Sequence, residues 1–145
     1  MRPNLRTGLF ALALVTLCTA QKCDRSTAEM QTQQADLNEG TWMLATLDGK
    51  AIQLPEGTRT PDLTIGKDNV VSGFGGCNRF SGQARVEGAS IALPGLMRTK
   101  MYCAAVQATE DAFMAALGAT NAYRITGNTL VLLDKEKELA TLVRR

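Results

Sequence analysis

Short apolar runs alternate with turn residues along most of the chain, and this pattern is typical of many short strands. Trp42–Leu47 ends at Asp48–Gly49, a pair that favours a tight hairpin turn, and residues 51–54 can return as the partner strand. Trp42 stands alone at the start of its strand, so we expect it to anchor the core rather than to form a platform for a ligand. The other runs predicted as strands are 63–65, 70–74, 80–86, 90–93, 123–125, 130–133 and 138–143.

Residues 104–117 break this rhythm, because they are rich in alanine and contain neither glycine nor proline. They are predicted to form a helix. Val106, Phe113 and Leu117 are spaced to fall on one side of it, and Gly118 is expected to end it as a left-handed cap. The predicted fold class is mainly β with one helix, a small antiparallel β-barrel, closed or nearly closed, whose opening the helix covers.

The start of the chain has the pattern of a signal peptide. Arg2 and Arg6 precede an apolar run at 9–17, and the small residue Ala20 follows. We predict that residues 1–20 are a signal peptide cut after Ala20, which would export the mature chain to the periplasm. The run is shorter than the about 20 apolar residues that a spanning helix needs, so no transmembrane span is predicted.

A lipoprotein signal is the alternative for this region. Acylation of Cys18 would make the protein an outer-membrane lipoprotein, but Leu17 occupies a position where the usual lipobox has a small residue. Ordinary cleavage is therefore preferred. Residues 21–37 are polar with little to bury and are predicted to form a flexible tether, which leaves 38–145 as the folded domain.

Composition limits the chemistry further. The chain has 145 residues, enough for one domain with a short extension, and it contains no histidine, which excludes histidine-based triads and two-histidine zinc sites. Loss of Arg2 and Arg6 leaves 14 of the 16 basic residues against 14 acidic ones, so nucleic acid is not an expected partner. No catalytic residue, metal or cofactor is predicted. The basic clusters, Arg98 with Lys100 and Arg144–Arg145, are expected to be solvated surface.

Two stretches contain more residues with distinctive chemistry or backbone freedom, such as cysteine and glycine, than a generic barrel requires. Residues 73–82 read Gly-Phe-Gly-Gly-Cys-Asn-Arg-Phe-Ser-Gly, and their glycines imply positive φ angles or close backbone approach. Residues 99–103 read Thr-Lys-Met-Tyr-Cys. Together with Trp42 and Glu110, these stretches make residues 38–143 resemble the META domain family, which includes the HslJ-type heat-shock proteins.

The resemblance implies a small β-barrel with a helix and no assigned catalytic residues. Members are typically secreted or envelope proteins, often lipoproteins, and the HslJ group is associated with heat response and novobiocin tolerance. We therefore expect a noncatalytic exported envelope protein, a stress-associated binding or protective module whose partner is an envelope protein or a small ligand. The alternative is an interacting lipoprotein partner of an outer-membrane or cell-wall assembly.

Cys77 and Cys103 lie in the two dense stretches, and export would place them in an oxidising compartment. A disulfide between them is the preferred interpretation. The alternative is a cysteine-dependent redox protein or enzyme, in which Arg79 and the loop amides lower the pKa of the Cys77 thiol, but the chain has no histidine to act as its base. Cys23 is left without an assigned partner.

Asn78 and Arg79 are the candidate binding surface. A bridge between the two stretches would place them on a rigid frame, where Asn78 could satisfy backbone groups and Arg79 could reach a partner carboxylate or phosphate. Glu110 and Asp111 adjoin and point in different directions on a helix, so they are not a convergent acid pair. Glu110 either complements the helix dipole or hydrogen-bonds a loop.

Overall fold

The computed structural model describes residues 36–145. The predicted signal peptide, the lipidation candidate Cys18, Cys23 and residues 21–35 of the predicted tether lie outside the described residues. Within 36–145, no helix has the length and apolar character needed to cross a membrane.

One antiparallel sheet of eleven strands forms the body of the described domain. The strands are β1 (Trp42–Leu47), β2 (Lys50–Ala51), β3 (Asp62–Ile65), β4 (Val70–Phe74), β5 (Arg79–Gln83), β6 (Arg85–Glu87), β7 (Ser90–Ala92), β8 (Met97–Arg98), β9 (Ala122–Thr126), β10 (Thr129–Asp134) and β11 (Lys137–Arg144). Ten of them follow the order β6-β7-β9-β10-β11-β1-β3-β4-β5-β8, and β2 pairs only with β1. With the helix described below, the predicted class, mainly β with one helix, is confirmed for the described residues.

The connection between β5 and β6 shows how the sheet curls. β6 lies at one end of the strand order and β5 lies next to the other end, yet Ala84 alone separates them in sequence. The two ends of the sheet must therefore come together at Ala84, which is buried. Because β6 and β8 do not pair, the sheet is a curled half-barrel rather than a closed cylinder.

Helix α1 (Gln107–Ala119) packs against β1, β10 and β11. It starts three residues later and ends two residues later than predicted. Gly118 lies inside the helix without a positive φ angle, so its predicted role as a left-handed cap was wrong. The helix ends at Thr120, whose extended backbone turns the chain away while its Oγ1 donates to the Ala116 carbonyl at 2.7 Å. That hydroxyl satisfies a carbonyl that the helix end leaves free.

Trp42 anchors the core, as predicted. It is fully buried, and its Nε1 donates to the Leu37 carbonyl at 3.0 Å. Leu37 is itself fully buried, so the packed domain includes this residue, which sequence analysis had assigned to the tether. The Arg144 guanidinium lies 4.7 Å from the Trp42 ring centroid, and its Nη2 donates to the Asp36 carbonyl. The prediction that Arg144 is solvated surface was therefore wrong. Its guanidinium stacks on the face of the Trp42 ring, and an aromatic face attracts a cation.

Candidate functional site

The loop between β4 and β5 is built around glycine. This glycine loop, residues 75–78, uses Gly76 at φ +131°, a region that side chains rarely adopt. A Cβ on Gly75 would lie 2.8 Å from the Glu110 Cγ, and a Cβ on Gly73 in β4 would overlap the Asp62 carbonyl. The sequence prediction of positive φ angles or close backbone approach is confirmed. The glycines let the loop backbone lie directly against the helix.

Glu110 is the group that the glycine loop approaches. It lies in the first turn of α1 and is fully buried. Its Oε2 accepts hydrogen bonds from the backbone N–H groups of Cys77, at 2.9 Å, and of Asn78, at 2.6 Å. Its Oε1 accepts from Asn78 Nδ2 at 2.7 Å and from Arg98 Nη1 at 3.1 Å. The helix therefore holds the loop through three of these four bonds, and the structure contains the alternative in which Glu110 hydrogen-bonds a loop.

Asn78 ties the glycine loop to the second dense stretch. Its side chain is buried, and its Nδ2 also donates to the Met101 carbonyl at 2.9 Å. Its Oδ1 accepts from the Met101 N–H at 2.8 Å and from Thr99 Oγ1 at 2.7 Å. Every donor and acceptor of this amide is used. Asn78 thus satisfies backbone groups, as the sequence suggested, and its side chain is not part of the exposed surface.

Arg98 approaches the same carboxylate from β8. Arg98 pairs in register with the buried Phe80, which puts its side chain on the inward side of the strand. Its Nη1 lies 3.1 Å from Glu110 Oε1 and 2.9 Å from Asp111 Oδ1. The hydrogen bond from Arg98, with a second from Gln107, holds the pKa of Asp111 below its ordinary value. The prediction that Arg98 is simply solvated was therefore wrong.

These contacts pin one exposed strip of chain, which we call the rim segment (residues 97–103). The Thr99 N–H donates to the Arg79 carbonyl at 3.1 Å, Asn78 holds both backbone groups of Met101, and Cys103 pairs with Cys77. Three side chains of the segment nevertheless face solvent: Met97 is 72% exposed, Met101 60% and Tyr102 78%. A rigid backbone thus displays three large apolar side chains.

The structure places Cys77 and Cys103 as a disulfide pair, with Cα atoms 5.8 Å apart and a sequence separation of 26. We expect the paired replacement Cys77→Ser with Cys103→Ser to lower the free energy of unfolding by about 3 kcal/mol, because it frees the unfolded chain. Urea unfolding measures the loss, and peptide mapping without reduction tests the bond. Two free thiols in freshly isolated protein would contradict the assignment.

Arg79 lies beside a shallow groove lined by residues of β4, β5 and β8 and by Thr99. The groove has a volume of about 490 Å³. Its lining includes two cations and three hydroxyl groups and no acidic residue: Arg79, Arg98, Ser72, Ser81 and Thr99. Arg79 is exposed, whereas its neighbour Asn78 is buried. The two residues of the predicted binding surface therefore differ, since only Arg79 has an exposed side chain.

The arrangement offers structural support more readily than acid-base chemistry. Both oxygens of Glu110 are occupied by hydrogen-bond donors, and Cys77 is held in the disulfide pair. Within residues 36–145, no group of three or more cysteine, aspartate or glutamate side chains is placed to hold a metal ion.

Sequence reasoning did not find the central role of Glu110, although a signal was present. Val106, Phe113 and Leu117 mark positions 0, 7 and 11 of the buried stripe, and Glu110 occupies the missing position 4. An acidic residue within an apolar stripe must find partners or remain in water. Thr99 and Met101 gave no comparable signal, because their roles depend on the fold.

A family model described as "META domain" matches residues 35–145. An NMR structure of a protein from Burkholderia xenovorans is similar, with 21% identity, a TM-score of 0.62, and coverage of 94% of this chain and 99% of that one. A second NMR structure has 23% identity and a TM-score of 0.60, covering 76% of this chain and 93% of that one.

A crystal structure of a DUF4847 family protein from Bacteroides vulgatus ATCC 8482 has the same fold. It shares 16% identity at a TM-score of 0.57, covering 78% of this chain and 97% of that one. No curated protein matches the chain. At these identities the solved structures show the fold alone.

Proposed function

We propose that this chain, which belongs to the META domain family, is a noncatalytic exported protein of the cell envelope that binds its partner through the rim segment. The observation that carries the proposal is the contrast between the backbone and the side chains of residues 97–103. The backbone is held by Asn78 and by the disulfide pair, while Met97, Met101 and Tyr102 are exposed.

The rim segment combines a fixed backbone with exposed apolar side chains, and both properties favour binding. Exposed large apolar side chains are costly in water and mark interaction sites when they cluster. A segment that is already fixed loses little conformational freedom when a partner arrives. Leaving Met101 and Tyr102 in solvent on a held backbone is therefore more consistent with recognition than with packing.

The polar groups support a noncatalytic role. An acid or base must be free to exchange a proton with substrate. Glu110 is buried and accepts four hydrogen bonds from the protein itself, and Cys77 is paired. These groups are used to position the rim segment.

Arg79 indicates the chemistry of the partner. It is exposed and borders a groove whose lining contains no acidic side chain. A partner that combines a carboxylate or phosphate with an apolar surface would meet Arg79 and Met97 together, since a guanidinium can donate two parallel hydrogen bonds to such a group.

Replacement of Arg79 by alanine tests the binding surface. We expect R79A to change the free energy of unfolding by less than about 0.5 kcal/mol, because the side chain is exposed. Capture of envelope components by the immobilised protein should fall at least about fivefold, since one charged contact contributes about 1 kcal/mol or more. Arg124→Ala, an exposed arginine on β9, is the matched control. Equal capture by R79A and wild type would refute the role of Arg79.

Export and stress protection belong to the same proposal. Intact mass of the mature protein should correspond to a chain that begins at Gln21, whereas a diacylglyceryl adduct on Cys18 would replace periplasmic export by the outer-membrane lipoprotein alternative.

Survival of a deletion strain under heat and novobiocin, with and without the R79A protein, tests whether protection depends on this surface.

A further inference from the structure

The methionines of the described domain differ sharply in accessibility. Met97 is 72% exposed and Met101 60%, and both lie in the rim segment. Met43 is only partly exposed in β1, and Met114 packs against the hydrophobic core. The two accessible thioethers therefore sit on the surface proposed above to bind a partner.

We propose that Met97 and Met101 are an oxidation-sensitive modification site that controls the polarity of the rim segment. In each reaction a hydroperoxide transfers one oxygen atom to the thioether sulfur. The sulfur is oxidised by two electrons to the sulfoxide, the O–O bond breaks, and the hydroperoxide is reduced to water or an alcohol. No protein group other than the sulfur changes its covalent structure.

The pairing of Cys77 with Cys103 favours these sulfurs as targets. A thiolate would react with peroxide faster than a thioether, but neither cysteine of the described domain is free. Susceptibility among the remaining sulfurs then follows exposure, because the peroxide must reach the sulfur atom. Met97 and Met101 are the accessible ones within residues 36–145.

The backbone contacts allow oxidation to change the surface without unfolding the domain. The peptide groups of Met101 are held by the Asn78 amide, and Met97 pairs with Ser81 in the β5–β8 ladder. Neither contact involves a side-chain sulfur. Oxidation would therefore replace apolar thioethers by polar sulfoxides on an unchanged frame, and partner binding should weaken.

This consequence for binding rests on the proposed function, whereas the site of oxidation does not. The full mature protein, with any thiol of Cys23 first blocked by iodoacetamide, is treated with limiting hydrogen peroxide, and peptide mass mapping follows oxygen addition at each methionine. We expect Met97 and Met101 to react at least about fivefold faster than Met114, in line with their exposure. Comparable rates at Met114, or loss of the folded state as the first two sulfoxides form, would overturn the proposal.

A sulfur-free variant tests the consequence. Met97→Leu with Met101→Leu removes both sulfurs and conserves side-chain volume, and capture by the untreated variant is the reference for its own treated sample. Peroxide should weaken capture by the wild type and leave capture by this variant unchanged, and methionine sulfoxide reductase should restore the wild type. Equal loss in both proteins would refute the switch. If neither untreated protein captures a partner, the proposed function fails, while the mapping result still decides the oxidation site.

Discussion

Replacement of Glu110 by glutamine is expected to lower the free energy of unfolding by about 4 kcal/mol, because the carboxylate accepts four hydrogen bonds where an amide can accept only half of them. If the amide nitrogen takes the place of Oε2, it faces the N–H groups of Cys77 and Asn78. If it takes the place of Oε1, it faces Asn78 Nδ2 and Arg98. Either orientation brings donors against donors in a buried site.

Urea unfolding of E110Q and of Asp111→Asn measures this expectation with a matched control. Asp111 neighbours Glu110 on α1 and shares Arg98, but its side chain is 53% exposed. Its replacement should therefore change the free energy of unfolding far less than E110Q does. A similar small loss for both variants would show that the buried bonds contribute little, and a changed dependence on urea concentration would point to an altered unfolded state instead.

The hairpins of this fold could be predicted because their information is local. Asp48 and Gly49 adopt φ angles of +46° and +73°, the primed-turn geometry that this residue pair favours, and β1 has the predicted bounds. The glycines around Cys77 likewise predicted close backbone approach. In each case a few consecutive residues determine the conformation.

Features that depend on distant residues could not be predicted. Nothing near Ala84 shows that it joins the two ends of the sheet, so residues 80–86 were predicted as one strand. The two-residue strand β8 is too short to show alternation. The partners of Glu110 lie 12 to 33 positions away in sequence. These misses share one cause, since tertiary pairing decides what each residue contacts.

Replacement of Asn78 by aspartate is expected to cost at least about 4 kcal/mol, because it places acceptors against acceptors in a buried site. Asn78 Nδ2 donates both to Glu110 Oε1, at 2.7 Å, and to the Met101 carbonyl, at 2.9 Å. The introduced carboxylate would face the carboxylate of Glu110, which carries the same charge. Two charged carboxylates in such contact repel each other, which adds to the loss.

Combining N78D with E110Q should recover part of the lost stability. Position 78 then carries the carboxylate and position 110 carries the amide, so the formal charge of the pair is the same as in wild type. The glutamine nitrogen would donate to the introduced carboxylate, while the glutamine oxygen, in the place of Oε2, would still accept from the N–H groups of residues 77 and 78. The Met101 carbonyl would remain without its donor, so recovery is incomplete. We expect the double variant to be more stable than the sum of the single losses predicts by about 2 kcal/mol. Strictly additive losses would mean that positions 78 and 110 do not interact, and the hydrogen-bond network would then not be what holds the rim segment in place.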